Sequence, residues 1–258
     1  MSPLVLVLCA GAALAPFASA AAAKPQPVPA AIRQAVDSEE RLPDDRARDA
    51  GRRPAEVLSF FGVAPGMTVM EFGAGGGYFC ELMARVVGPK GLAIAQNFYF
   101  FLRQSGEEYK RRFAPKRLDN IVMIFGDQSR LHLPADSIDA AFFIDTYHDL
   151  AFEQPSGDRQ PAFAVATLAE VRRLLRPGGM LGIIDHRAED SATRSEAAAL
   201  HRITEPALRR DLEAAGFRLE AAADFLANPG DRRAKAWFDD PALRDRTDRM
   251  VLRYRSPD

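Results

Sequence analysis

The stretch Thr-Val-Met-Glu-Phe-Gly-Ala-Gly-Gly-Gly-Tyr, from Thr68 to Tyr78, constrains this chain more than any other. Its first half is apolar and β-branched, follows the Pro65-Gly66 turn, and reads as a buried strand that Glu71 closes. Glycines then alternate at Gly73, Gly75 and Gly77. From Tyr78 to Val87 the composition is helix-forming, with Phe79, Leu82, Met83 and Val86 at helical spacing. Strand, glycine loop and helix make a place where backbone N–H groups meet a ligand closely, because no side chain holds it away. A dinucleotide-binding loop, G-x-G-x-x-G laid on Gly73 and Gly75, would need glycine at 78, where Tyr78 stands. The pattern is E-x-G-x-G-x-G. On its own such a loop also serves simply to pack a helix on a strand, so the rest of the chain decides.

Further apolar runs follow at Leu92–Ala95, Ile121–Phe125, Ile138–Ile144 and Met180–Ile184. An amphipathic basic stretch, Phe98 to Phe113, and a helix from about Pro161 to Leu175 separate some of them. Continuous apolar strands alternating with helices predict a parallel sheet buried on both faces. The tail differs: Thr204 opens a helix to Ala215, Gly216 stops it, and Phe217–Leu226 and Arg249–Tyr254 read as two strands without a helix between them. The loop joining them, Asn228 to Asp248, holds the single tryptophan, Trp237. The expected fold is α/β: a doubly wound sheet closed by an antiparallel pair. A chain of 258 residues suits one such domain with additions, and no internal repeat is visible.

With 34 basic and 35 acidic residues the formal charge is −1, so no global field draws nucleic acid or an anionic membrane. The clusters Lys110-Arg111-Arg112, Arg172-Arg173 and Asp44 to Asp49 read as solvated faces. Residues 1–23 form a compositionally distinct leader, with apolar Leu4–Leu8 and Ala10–Ala15 before the small residues Ala18-Ser19-Ala20. This predicts a secretory signal and a periplasmic or secreted address, or a cytoplasmic one if the leader does not function, since no Lys or Arg precedes Lys24; the run is too short for a membrane anchor. Residues 24–55 read as a tether and helical cap, and 56–258 as the main domain. Without the leader only Cys80 remains, so no internal disulfide forms, and Cys80 reads as a small core residue.

In an open parallel sheet ligands lie beyond the carboxyl ends of the strands. There stand Glu71, Gln96-Asn97, Asp127-Gln128, Asp145 with Tyr147-His148-Asp149, and Asp185-His186. Purely structural strand ends are usually served by Ser, Asn or Gly turns. The glycine loop, Phe125-Gly126-Asp127, Leu133 to Asp139, and Leu174-Leu175-Arg176-Pro177-Gly178-Gly179 together resemble the motifs of class I S-adenosylmethionine-dependent methyltransferases over about Val57 to Asp185. The Tyr-His-Asp run and His201-Arg202-Ile203 resemble a bacterial group of these enzymes with secretory leaders.

The resemblance implies a Rossmann-like seven-stranded sheet. It implies S-adenosylmethionine held by Glu71, Gly73, Gly75, Gly77, Gln96, Asn97, Asp127, Gln128 and Asp145, with Asp127 accepting from the adenine amino group. It also implies methyl transfer to a small molecule or envelope component. One position departs: the second strand should end in Asp or Glu to hold the ribose hydroxyls and ends in Gln96-Asn97. An amide both donates and accepts but lacks the carboxylate's charge, so Asn97→Asp is expected to strengthen cofactor binding.

Methyl transfer mainly requires alignment of the nucleophile, and an oxygen or nitrogen nucleophile also needs a base, for which histidine is suited. His148, with Tyr147 and Asp149, is the catalytic candidate, its imidazole expected to face substrate; His186 and His201 lie near, and His132 reads as a surface loop residue. No N-P-P-Y follows the fourth strand, which argues against methylation of a base amino group in DNA. Two other readings stay open. One is a cofactor-binding protein without turnover; the other is a metal-dependent hydrolase using Asp145, His148, Asp149, Asp185 and His186. No compact pair such as H-E-x-x-H stands here, so no metal is expected.

Overall fold

The computed structural model describes residues 27–99, 101–113, 117–151 and 161–257, so the leader assigned to residues 1–23 lies outside it. Among the described residues four short helices come first: α1 (Ala30–Asp37), α2 (Pro43–Arg46), α3 (Asp49–Arg52) and α4 (Pro54–Phe61). Then follow β1 (Thr68–Phe72), α5 (Tyr78–Val87), β2 (Leu92–Asn97), α6 (Phe101–Arg112), β3 (Ile121–Phe125) and β4 (Ile138–Ile144). The chain continues through α7 (Ala162–Leu174), β5 (Leu175–His186), α8 (Arg194–Ala199), α9 (Glu205–Ala214), β6 (Arg218–Ala223) and β7 (Arg249–Arg255). The sheet has seven strands in the order β3-β2-β1-β4-β5-β7-β6. β1 to β5 pair in parallel, and β7 runs antiparallel to both β5 and β6. This is the expected Rossmann-like plan. Among the described residues no helix is long and apolar enough to cross a membrane.

Side chains alternate across each strand, so one sheet feeds two cores. Along β4, Ala140, Phe142 and Ile144 join Val57, Phe61, Phe79, Leu82 and Val86 on the face covered by α1, α4 and α5. Ala141 and Phe143 join Leu168, Val171, Leu208 and Leu212 on the face covered by α7 and α9. Gly182 in β5 permits this packing: a Cβ there would lie 2.8 Å from Phe142 and 2.9 Å from Phe61. α9 starts at the Thr204 cap, whose hydroxyl accepts the Ala207 N–H.

Two charge clusters are not the solvated faces that their composition suggests. Lys110 and Arg111 are exposed, but Arg112 is fully buried, and so is Asp45. The helical period turns Arg112 inward beside Tyr109, at the place where α6, α5 and α2 meet. Its guanidinium pairs with Glu81 at 2.6 Å, Glu108 at 2.8 Å and Asp45, and its Nε donates to the Gly76 carbonyl. Asp44 and Arg46 do face solvent. Removing one partner of a buried ionic cluster strands the others away from water. Arg112→Ala is therefore expected to cost about 3–5 kcal/mol, read as a lower midpoint in denaturant titration.

Candidate functional site

The glycine loop is left-handed at alternate residues, with φ of 66° at Gly73, 53° at Gly75 and 84° at Gly77. Only glycine enters that region without cost. The surroundings differ: a Cβ on Gly73 would come within 3.1 Å of Thr146, whereas one on Gly75 would meet no atom within 4 Å. The space over Gly75 is open, and a ligand can reach the backbone there.

Both amides at the end of β2 are fully buried and fasten this loop. Gln96 accepts the Gly73 N–H at 3.3 Å and donates to the Gly126 carbonyl at 2.9 Å. Asn97 accepts the Gly75 N–H at 3.0 Å and donates back to the Gly75 carbonyl at 3.3 Å. The Tyr109 hydroxyl also donates to that carbonyl. An aspartate at 97 would set a carboxylate oxygen against the Gly75 carbonyl, so the geometry reverses the expectation that Asn97→Asp helps. That variant is expected to melt lower than the wild type and to hold the cofactor less tightly.

Glu71 and Asp145 flank the loop. Each is at least mostly buried and keeps one carboxylate oxygen, Oε2 and Oδ1 respectively, without a hydrogen-bond partner among the described residues. Burial pushes the Glu71 carboxyl up to about 8, against Arg52, the Cys80 N–H and Arg112, which favour the charge. Asp145 sits at φ 59°. Its other oxygen lies 3.8 Å from Arg52 and 3.6 Å from Arg249; burial opposes the charge, but His186, Arg249 and Arg52 together outweigh it and hold the carboxyl below the usual range. Asp127 is exposed and caps its own turn, accepting from the Ser129 N–H and hydroxyl at 2.8 and 2.7 Å. It lines a cleft of about 500 Å³ with Phe125, Gly126 and Leu133, and Gln128 beside it is buried. A larger cleft, about 780 Å³, lies at the opposite end of the sheet by Pro65-Gly66 and Gly88–Lys90.

The sequence reading missed a wall of arginines over the loop. Arg52 lies 4.7 Å from the Tyr78 ring centroid and pairs with Asp245 at 2.6 Å, and Arg48 pairs with Asp245 at 2.8 Å. Arg249, also buried, donates to the Gly51 carbonyl at 2.6 Å and the Asp245 carbonyl at 3.0 Å. The N-terminal helices thus reach the loop: Tyr78 donates its hydroxyl to Asp49. No local pattern gave this away, since the pairs join residues nearly two hundred positions apart.

The histidines are differently placed than their residue types suggest. His148 is enclosed, only 1% exposed. Its Nδ1 lies 2.7 Å from Asp185, its Nε2 3.2 Å from Asp149, and its backbone N–H donates to Asp185 at 2.8 Å. Burial opposes the imidazolium, but the two carboxylates outweigh it and lift the pKa to about 10. His148 is thus enclosed between two carboxylates that favour its protonated form, and its imidazole faces them instead of open space as expected. Burial also pushes His186 down to about 4, and its Nδ1 pairs with Thr247 at 2.7 Å. His201 Nδ1 lies 3.5 Å from Asp149. Tyr147 turns into the core, against Phe143, and donates its hydroxyl to Asp211 at 3.2 Å, so it touches no substrate space. His132 is exposed, as its loop position suggested.

A sheet in this order, with a glycine loop after its first strand, defines the class I methyltransferase fold, whose cofactor is S-adenosylmethionine. Solved structures share it. An S-adenosylmethionine-dependent methyltransferase from Aquifex aeolicus superposes with a TM-score of 0.58 at 22% identity, over 83% of this chain and 94% of that one. An arsenic(III) S-adenosylmethionine methyltransferase from Chlamydomonas reinhardtii gives 0.54 at 20% identity, over 90% and 75%. Residues 46–222 match the model of the methyltransferase domain family, and the chain belongs to that family. Curated relatives match over shorter lengths. A protein-L-isoaspartate O-methyltransferase from Thermotoga maritima is 34% identical over 73 residues, 28% of this chain and 22% of that protein. A sterol 24-C-methyltransferase from Yarrowia lipolytica is 26% identical over 140 residues, 54% and 32% respectively.

Glu71 generates a pH dependence. Its folded-state pKa lies above the ordinary carboxyl value, so the folded protein holds a proton that the unfolded chain gives up. Its contribution to stability is full at low pH and is lost as pH rises from the ordinary carboxyl range through about 8. Glu71→Gln is expected to melt near the wild type at pH 5 and above it at pH 9, checked by thermal melts across that range.

Proposed function

We propose that this chain transfers the methyl group of S-adenosylmethionine to a small-molecule or envelope acceptor, and that its leader directs it to the periplasm. The observation that carries the cofactor half is the pair of orphaned buried oxygens, on Glu71 and Asp145, either side of a loop open over Gly75. S-adenosylmethionine presents two cationic groups, a sulfonium and an ammonium; Asp145, whose carboxyl is held below the usual range, suits a cation, and a cation beside Glu71 would favour its charged form against burial. Gly73 to Gly77 would hold its methionine part, Asp127 and the cleft beside it the adenine. Gln96 and Asn97 hold the loop in shape instead of reaching the ligand. When bound, the cofactor supplies an electrophilic methyl carbon.

The residues of this chain then bind and align. Arg52 and the N-terminal helices pack against Tyr78 at the end of the loop and would wall one side of the bound cofactor. His148 has both ring nitrogens engaged by carboxylates, which favour its protonated form, so it offers neither a free donor nor a ready base. The acceptor is therefore one that is nucleophilic without a histidine base. A protein that binds the cofactor without turning it over is the second reading, favoured by that missing base and by the inward-facing amides.

Titration calorimetry with S-adenosylmethionine and S-adenosylhomocysteine tests the cofactor. Gly75→Val places a β-branched side chain at φ 53° and fills the open space, and should abolish measurable binding. Gly66→Ala, also left-handed and also with nothing within 4 Å, is the control for backbone strain and should bind normally. Undiminished affinity in a folded Gly75→Val variant sinks the assignment.

A further inference from the structure

Beyond β4 and β5 three side chains meet that the cofactor reading leaves without a task. Tyr147–Ala151 is a single 3-10 turn that carries His148 and Asp149, and His201 arrives from the segment after α8. His148 Nε2, Asp149 Oδ1 and His201 Nδ1 each offer one donor atom, and these lie within 4.8 Å of one another. We propose that His148, Asp149 and His201 bind one divalent transition-metal ion of the zinc type, with its remaining coordination position open to the methyl acceptor.

Distances support the assignment. Zinc bonds to imidazole nitrogen and carboxylate oxygen are about 2.0–2.2 Å, and at tetrahedral angles that sets neighbouring ligand atoms about 3.3–3.6 Å apart. Two of the three separations are already close to this, 3.2 Å from His148 Nε2 to Asp149 and 3.5 Å from His201 Nδ1 to Asp149. Only the gap between the two imidazoles has to close.

The surroundings are those of a metal-binding histidine. Asp185 accepts from His148 Nδ1 at 2.7 Å, which leaves Nε2 as the nitrogen directed at Asp149. A carboxylate behind a ligating imidazole fixes its tautomer and ring orientation. Asp185 is itself immobile: it is fully buried and also accepts the backbone N–H groups of His148 at 2.8 Å and His186 at 2.6 Å. His201 stands at φ 50°, the left-handed region that a side chain enters at a cost, and strain of this kind gathers at functional sites. Two imidazoles and one carboxylate suit zinc and its neighbours; magnesium and calcium prefer all-oxygen sets.

Three protein ligands leave a position for substrate, as catalytic zinc sites do. The role assigned to the ion rests on the methyltransferase reading, whereas its binding does not. A hydroxyl or thiol acceptor would release its proton to solvent on binding the ion. The freed lone pair would then form the bond to the methyl carbon as the carbon–sulfur bond of the sulfonium donor breaks. No separate protein base is then required. Phe238, whose ring is 4.9 Å from His201 and which is exposed with Trp237, gives such an acceptor an apolar surface beside the ion.

The test uses the mature chain stripped with chelator and titrated with zinc chloride, by calorimetry and thermal melting, without cofactor. One saturable site per chain is expected, with a higher melting temperature on loading, visible d–d absorption when cobalt replaces zinc, and no comparable effect of magnesium. His201→Ala and Asp149→Asn should each weaken zinc binding at least tenfold, and Asp185→Asn by about 10–100-fold through its hold on His148. His132→Ala should leave binding unchanged. Absence of a saturable site, or zinc affinity that survives both His201→Ala and Asp149→Asn in folded protein, overturns the proposal. Parallel titration with S-adenosylmethionine separates the two readings: zinc failure with cofactor binding intact refutes only the metal site.

Discussion

Arg112 joins the parts of the molecule that make a site possible. From within α6 it holds the Gly76 carbonyl, the Asp45 carboxylate of the N-terminal helices and Glu81 of α5. Burying a guanidinium is costly unless every donor finds an acceptor, and here four acceptors from four segments surround it. The glycine loop is thus fixed from below by an ion cluster and from the side by the Gln96 and Asn97 amides. Left-handed glycines give the loop its path, and these contacts hold it on that path.

Above the loop the balance of charge is different. Arg48, Arg52 and Arg249 are matched by Asp145 and Asp245, yet Asp145 and Glu71 each retain an oxygen with no partner among the described residues. Other buried polar atoms, such as Arg249 Nε and Tyr254 Oη, also lack a partner among the described residues, so it is the position of these two oxygens beside the glycine loop that suits the proposed cationic cofactor. The same electrostatics bear on His148. With no ion bound, its two carboxylate neighbours favour the protonated ring and disfavour it as a general base.

The motifs were legible because they are local. Strand, alternating glycines and helix lie within twenty residues, and backbone conformation follows from residue type there. The apolar runs and the proline-glycine turns likewise located all seven strands, and the absence of a helix between the last two gave the antiparallel pair. What composition misjudged was the fate of charge. Arg112 and Asp45 read as solvated, because a charged run looks the same whether its helix turns one member inward or not. Tyr147 read as catalytic beside His148, although successive residues of a tight turn point apart and one of them had to enter the core.

The amino-acid sequence by itself determined the topology, the glycine loop and the family, since hydrophobic period and glycine placement act over short spans of chain. Only the tertiary structure decided which polar side chains face one another. Arg52 reaches Asp245, His148 reaches Asp185, and Asp149 meets His201 across gaps of tens to nearly two hundred residues. Electrostatic energy depends on distances of a few ångströms and on burial, and neither exists until the sheet has brought its strand ends together.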